Sequence, residues 1–277
     1  MNWTNYHMHS HYCDGEGELE SFVKKAIERN MYAIGFSGHA PVPFNSDWHI
    51  QLDHLDTYIS EIEFLKEKYK EIEIFSGLEV DYIPGQIGPN SYADRNLDFI
   101  IGSVHYAGQF RNQENCCIDG TKEEFERALK LVYNNDIEKL VSRYYENVVE
   151  MLNNDPPDII GHLDVIKKLN SNNRYFSEEE SWYQDIVNDV IQAISATESI
   201  LEVNTRGYYK SFTKEFYPGK RILEKCSEAN IPVTISSDAH HPNEIVQNFE
   251  DAVSVLLNIG YTHLYIFDKG IWSKVQI

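Results

Sequence analysis

Short apolar runs that each stop at a histidine or a carboxylate recur along this chain, and longer segments of helical spacing separate them. Tyr32 to Phe36 leads through Ser37-Gly38 to His39, Ile72 to Leu78 leads to Glu79, and Phe99 to Val104 leads to His105. Ile159-Ile160-Gly161 precedes His162, Pro232 to Ser237 precedes Asp238, and Asn5-Tyr6-His7-Met8-His9 lies near the start. Between them, Leu19 to Arg29, Leu52 to Tyr69, Ser177 to Ala196 and Tyr217 to Ala229 carry apolar residues at helical intervals. Strands that alternate with helices build a parallel sheet covered by helices, and 277 residues is the length of one closed barrel. The expectation is an α/β fold, one closed β/α barrel spanning residues 1–277 as one domain. Seven strands, or eight, are expected near residues 3–8, 32–37, 72–80, 98–104, 158–163, 199–204, 232–237 and 262–267. The C-terminal ends of barrel strands open into one mouth, so these dispersed donors are expected to form a ring there.

Composition narrows the partners. With 42% hydrophobic residues a sizeable core can form, and no apolar stretch approaches a membrane span. The start Met1-Asn2-Trp3-Thr4-Asn5 lacks the basic and apolar regions of a leader, so a cytoplasmic protein is expected. Cys13, Cys116, Cys117 and Cys226 have no Cys-x-x-Cys spacing, which favours reduced thiols. A formal charge of −20 repels polyphosphate backbones, so long nucleic acid is not an expected partner. The charged stretch from Glu114 to Glu126 reads as a solvated excursion above the barrel.

The donor pattern carries the chemistry. His7 and His9 on an extended segment point to one face, so both imidazoles can reach one ion. Glu79 has two oxygens and can bridge two ions at the spacing of about 3.5–4 Å that two-metal hydrolytic sites use. His105 and His162 offer further nitrogens. Asp238 and His240, two residues apart, add a carboxylate and an imidazole, and the serines before Asp238 sit in no Gly-x-Ser-x-Gly elbow, which argues against a serine hydrolase. Arg206, just past the run Leu201 to Asn204, carries a planar fork suited to phosphate.

These residues, in this order, resemble the polymerase and histidinol phosphatase (PHP) superfamily, in its histidinol-phosphatase branch. The resemblance covers essentially the whole chain and rests on His7-Met8-His9-Ser10, Cys13-Asp14-Gly15, Phe36 to Pro41, Gly77-Leu78-Glu79 and Gly102 to His105. It continues through Gly161 to Asp164, Glu202-Val203-Asn204 and Ser237 to His240. It implies a distorted TIM-like (β/α)7 barrel with the metal site at the C-terminal ends of the strands, and a hydrolase of phosphoric monoesters with three divalent ions, Zn, Mn or Fe. One ion would sit on His7, His9, Glu79 and Asp238, a second on Glu79, His105 and His162, and a third on Asp14, His39 and His240. Other members place a histidine near Asp14, in a loop one residue longer, and His11 is a rival there. Three divalent ions less the carboxylates Glu79, Asp14 and Asp238 leave about +3, enough to hold a phosphate dianion inside an acidic protein. In the family's in-line hydrolysis a metal-activated hydroxide attacks phosphorus, with Arg206, Asp238 and His240 as the catalytic candidates. His39-Ala40-Pro41-Val42-Pro43 and the loop to Trp48-His49 look like the histidinol-phosphatase branch. The implied partner is therefore a small phosphorylated metabolite, with Arg206 and Trp48 as substrate contacts and Asp47 and Tyr208 as further candidates. A phosphodiesterase or nucleotide phosphatase would use the same ions, and a non-catalytic binding module is the remaining alternative.

Overall fold

Seven parallel strands, Thr4–Asn5, Ala33–Phe36, Glu73–Asp81, Phe99–Ser103, Ile159–Ile160, Ile200–Asn204 and Val233–Ser236, lie side by side in that order at the centre of the protein. The structure is a computed structural model and describes residues 3–277. In chain order the elements begin with β1 (Thr4–Asn5), α1 (Leu19–Glu28), β2 (Ala33–Phe36), α2 (Leu55–Lys68), β3 (Glu73–Asp81) and β4 (Phe99–Ser103). Then come β5 (Tyr106–Gln109), β6 (Asn115–Cys117), α3 (Lys122–Leu131), α4 (Ile137–Asn154), β7 (Ile159–Ile160) and α5 (Ser181–Ser195). The chain continues with β8 (Ile200–Asn204), α6 (Arg206–Tyr209), α7 (Lys220–Glu228), β9 (Val233–Ser236), α8 (Phe249–Asn258), β10 (His263–Asp268) and β11 (Ile271–Gln276). The expected barrel is present, and the ring closes not at the strands but just beyond them. Met8 and Ala239 form a parallel bridge in which the His9 amide donates to the Ala239 carbonyl at 2.8 Å. That seam carries His7, His9 and Asp238.

One expectation is corrected. The eighth candidate strand, near 262–267, does not enter the barrel, because β10 turns at Lys269-Gly270 and pairs antiparallel with β11. Its Phe267 joins Tyr6, Phe75 and Phe99 in one buried cluster, with Trp272 of β11 packed against it. The Tyr6 hydroxyl accepts from the Phe267 amide at 2.8 Å, so the hairpin caps the barrel with satisfied backbone. The Phe99 ring fills the interior so closely that a Cβ at Gly35 or Gly77 would lie 2.6 or 2.5 Å from it. Phe99→Ala is therefore expected to lower unfolding free energy by about 3–5 kcal/mol, since the aromatic side chain is fully enclosed and its cavity cannot collapse onto glycines. Chemical denaturation would measure this, and a loss under about 1 kcal/mol would refute the plug.

The excursion between Glu114 and Glu126 is only partly solvated. Cys116, Ile118 and Phe125 are buried, β6 pairs with β5, and Thr121 caps α3 reciprocally with Glu124. It thereby forms one rim of the mouth. Tyrosines tie helices to the site: the Tyr144 hydroxyl on α4 donates to the carbonyl of Leu163, next to His162, at 3.0 Å. All four cysteines are free thiols. Among the described residues no helix is long and apolar enough to cross a membrane.

Candidate metal centre

Glu79 is the centre of the site because the C-terminal part of β3 delivers it, 1% exposed, into a ring of imidazoles. Its two oxygens face different partners. Oε1 lies 2.9 Å from His162 Nε2 and 3.6 Å from His105 Nε2, and takes the Ser103 hydroxyl at 2.6 Å. Oε2 lies 3.2 Å from His7 Nε2, 3.6 Å from His9 Nε2 and 2.9 Å from His39 Nδ1. Asp238 Oδ1 approaches His9 Nε2 to 3.3 Å, and His240 Nε2 meets Asp14 Oδ2 at 3.2 Å. The structure thus brings together every sequence-derived donor: His7, His9, Asp14, His39, Glu79, His105, His162, Asp238 and His240. Four donor groups are compact enough for an ion, namely His9-Asp14-His39-His240, His7-His162-Asp238, His7-His9-Glu79 and His39-Glu79-His105. His9 belongs to the group around Asp14 as well as to the group around Glu79, a sharing that the one-ion-per-set reading did not foresee. His11 lies apart, exposed beside Glu18.

The buried polar atoms show what the ring is suited to hold. His7 Nε2, His9 Nε2, His39 Nδ1 and Glu79 Oε2 are buried and, although Oε2 lies within 2.9 to 3.6 Å of the three nitrogens, none is aligned in a hydrogen bond; all four are atoms that can ligate a metal. Orphaned atoms of this kind cost free energy unless something coordinates them. Imidazole and carboxylate in this ratio suit divalent first-row cations. Charge points the same way. Burial pushes His105 down, but Asp81, Asp119 and Glu79 outweigh it and raise the ring to about 10. His9 goes the other way, pressed by burial and by His240 and His39 to about 3. Glu79 and Asp238 are held well below the carboxylate range, against burial, chiefly by His7.

Two carboxylates that the sequence reading did not assign hold the donors in place. Asp81 takes His105 Nδ1 on one oxygen and His49 Nε2 on the other, both at 2.8 Å. Glu202 takes His7 Nδ1 at 2.6 Å and the His162 amide at 2.7 Å. Each leaves the far nitrogen of its ring free to coordinate. Asp81 was legible in principle: two residues beyond Glu79 on one strand, it faces the same side. Asp81→Ala is expected to weaken divalent binding about 10–100-fold while leaving the fold intact, as the orienting partners of ligating histidines typically do. Competition with a metal-sensitive dye would check it; unchanged affinity would remove Asp81 from the site.

The mouth above the ring has a volume of about 870 Å³. Its cations are Arg206 and Lys168, the second missed in the sequence because nothing local distinguishes it from Lys167. Arg206 is partly committed: its Nη1 donates to the Asp238 carbonyl at 2.8 Å, steadying a backbone with φ of 50°. Trp48 lines the mouth, with its ring centre 4.6 Å from that of His39, whereas Asp47 and Tyr208 are exposed and do not line it.

With this geometry in view, the likeness to known proteins is clear. Residues 5–206 match the PHP domain family, and this chain belongs to it. Asp238 and His240 lie beyond that match, so the barrel's closing strand supplies them. Relatives that it resembles along most of its length carry the name histidinol-phosphatase or probable histidinol-phosphatase. One from Schizosaccharomyces pombe, named a probable histidinol-phosphatase, is 30% identical over 281 residues, covering 95% of this chain and 89% of its own. The histidinol-phosphatase of Bacillus subtilis is 26% identical, covering 90% and 98%. The histidinol phosphate phosphatase of Lactococcus lactis, solved with zinc, L-histidinol and phosphate, superposes with a TM-score of 0.74 at 23% identity over 99% of both chains.

Proposed function

We propose that the chain, acting as one PHP unit over residues 1–277, is a metal-dependent histidinol phosphatase that cleaves L-histidinol phosphate to L-histidinol and phosphate. The observation that carries the proposal is Glu79, whose two oxygens face separate sets of imidazoles, His162 and His105 at Oε1 and the orphaned nitrogens of His7, His9 and His39 at Oε2. The relatives named for this activity, and the zinc, histidinol and phosphate in the Lactococcus lactis protein, support the same substrate.

The proposed complement is three divalent ions, Zn, Mn or Fe. Bound there, such ions supply the positive charge that neutralises a phosphate and activates a water. The protein's own residues do the rest. His7, His9, Glu79 and Asp238 would hold one ion, Glu79, His105 and His162 a second, and Asp14, His39 and His240 a third. Arg206, with Lys168, fixes the phosphate oxygens, and Trp48 walls off solvent above His39. His240, at the rim with its side chain 16% exposed, completes the third set beside Asp14. A small phosphorylated metabolite is the partner, and the cytoplasm is the proposed location.

The test is phosphate release by protein loaded with Mn or Zn. L-histidinol phosphate would be assayed beside sugar phosphates, nucleotides and a phosphodiester. Selective release from histidinol phosphate is expected, and a preference for the diester or a nucleotide would replace the substrate while keeping the metal centre.

A further inference from the structure

Metals, Arg206 and Lys168 account for a phosphate, which leaves the organic half of the mouth without a ligand chemistry. Its carboxylates can be accounted for one at a time. Glu79, Asp14 and Asp238 belong to the donor ring. Glu124 accepts from the Thr121 amide at 2.7 Å and its hydroxyl at 2.8 Å, and Glu114 holds Arg127 with two bonds at 2.8 and 3.1 Å. Asp119 remains. It sits just beyond β6, lines the mouth, and its side chain is 20% exposed. Among the described residues its carboxylate meets only a weak thiol donor, Cys117 Sγ at 3.5 Å, and Lys168 Nζ at 3.7 Å, too far for a hydrogen bond. The Lys168 ammonium donates instead to the Asp119 backbone carbonyl. A largely buried carboxylate with open lone pairs is an unusual thing to keep in a site that must bind a phosphate, since the two repel. It makes sense if the rest of the substrate is a cation.

Two further features of the same mouth fit a cationic ligand. The Tyr217 hydroxyl is buried, lines the mouth and has no hydrogen-bond partner. Its phenol is pushed up by burial, then by the charges of Asp164 and Asp119, which places it within electrostatic reach of that carboxylate. Aromatic rings form a wall as well: Trp48 stacks near Tyr106 with ring centres 6.0 Å apart, and Phe44 meets Tyr106 edge-on at 5.5 Å. Aromatic faces attract organic cations.

We infer that Asp119, with the unpaired hydroxyl of Tyr217 and the Trp48 wall, forms a subsite for an organic ammonium or imidazolium group, so that the enzyme selects phosphorylated amino alcohols over phosphorylated sugars and diols. The inference rests on the phosphomonoesterase reading above and assigns the part of that substrate which the metals do not touch. A charge-assisted bond to a carboxylate is the strong kind, and an analogue lacking the donor leaves the buried acceptor unpaired.

The experiment compares wild-type and Asp119→Asn enzyme, both metal-loaded, on O-phosphoethanolamine and glycerol phosphate, and on L-histidinol phosphate and phenyl phosphate. In each pair the wild type is expected to favour the amine. The variant is expected to shrink the ratio of kcat/KM, amine-bearing over amine-free, about ten-fold or more, chiefly through KM. Equal losses on both members of a pair would show a merely structural Asp119 and overturn the inference, as would an unchanged ratio. Calorimetric binding of L-histidinol, expected to weaken ten-fold or more in Asp119→Asn, reads the subsite without turnover. Failure of the wild type to turn over histidinol phosphate would count against the proposed function, whereas tight, Asp119-dependent histidinol binding would still uphold the subsite. Binding that is unaffected by Asp119→Asn would sink the subsite even if turnover succeeds.

Discussion

Glu79→Gln is expected to lower kcat/KM for phosphate-monoester hydrolysis by about 10³-fold or more, which is about 4 kcal/mol of transition-state stabilisation at 1.36 kcal/mol per decade. The amide keeps the shape of the side chain but replaces one anionic oxygen with an NH₂ group that cannot coordinate. Whichever way it turns, one of two sets of imidazoles loses its shared carboxylate: His105 and His162 around Oε1, or His7, His9 and His39 around Oε2. The Ser103 hydroxyl donates to Oε1 at 2.6 Å and so favours the amide oxygen there, turning the NH₂ toward His7, His9 and His39. The variant should therefore fold but carry fewer metal equivalents. Elemental analysis beside steady-state kinetics would read both, and a variant retaining full metal content and more than a tenth of the activity would refute the bridging role.

Removal of divalent ions by a chelator is expected to abolish activity and to lower Tm by about 10 °C. An ion that binds only the folded chain adds about 4 kcal/mol at a thousand times its Kd, and each kcal/mol moves Tm by about 2–4 °C in a chain of this size. Reloading should release protons. His105 is raised to about 10 by Asp81, Asp119 and Glu79 despite its burial, so below that pH the ring carries a proton that an ion must displace. The sign follows: apparent affinity rises with pH up to about 10 and falls as pH drops. Calorimetry in buffers of different ionisation enthalpy would register the released protons, and metal uptake without proton release would contradict this charge state. His9, pressed to about 3, should contribute none at neutral pH.

Much of the site was legible because its signals are local. A strand that ends in a barrel mouth must change from apolar to polar at one point, and that point is visible at His39, Glu79, His105, His162 and Asp238 without knowing what lies beside them. The His-x-His and Asp-x-His spacings are local too. Less could be read where a residue's meaning depends on a neighbour far along the chain. Glu202 stands in a motif that carries the family resemblance, yet its role is unreadable until the barrel sets it 2.6 Å from His7, 195 positions away. Asp119 and Lys168 are likewise ordinary surface letters until β5 and β6 fold over the mouth.

The eighth strand shows the opposite limit. The run near 262–267 has the composition of a barrel strand, since period and propensity report only that a segment is extended and half-buried. Whether it enters the sheet depends on the space left by the other seven, and the Met8–Ala239 bridge had already closed the ring. The run paired with its own hairpin partner instead and sealed the base. The sequence by itself determined the alternation of strands and helices and the identity of the inward donors, because both follow from patterns spanning a few residues. Only the tertiary structure decided how the ring closes, how one glutamate divides the imidazoles, and which carboxylate in the mouth keeps open hydrogen-bond positions, because each of these depends on distances between segments that the chain order leaves free.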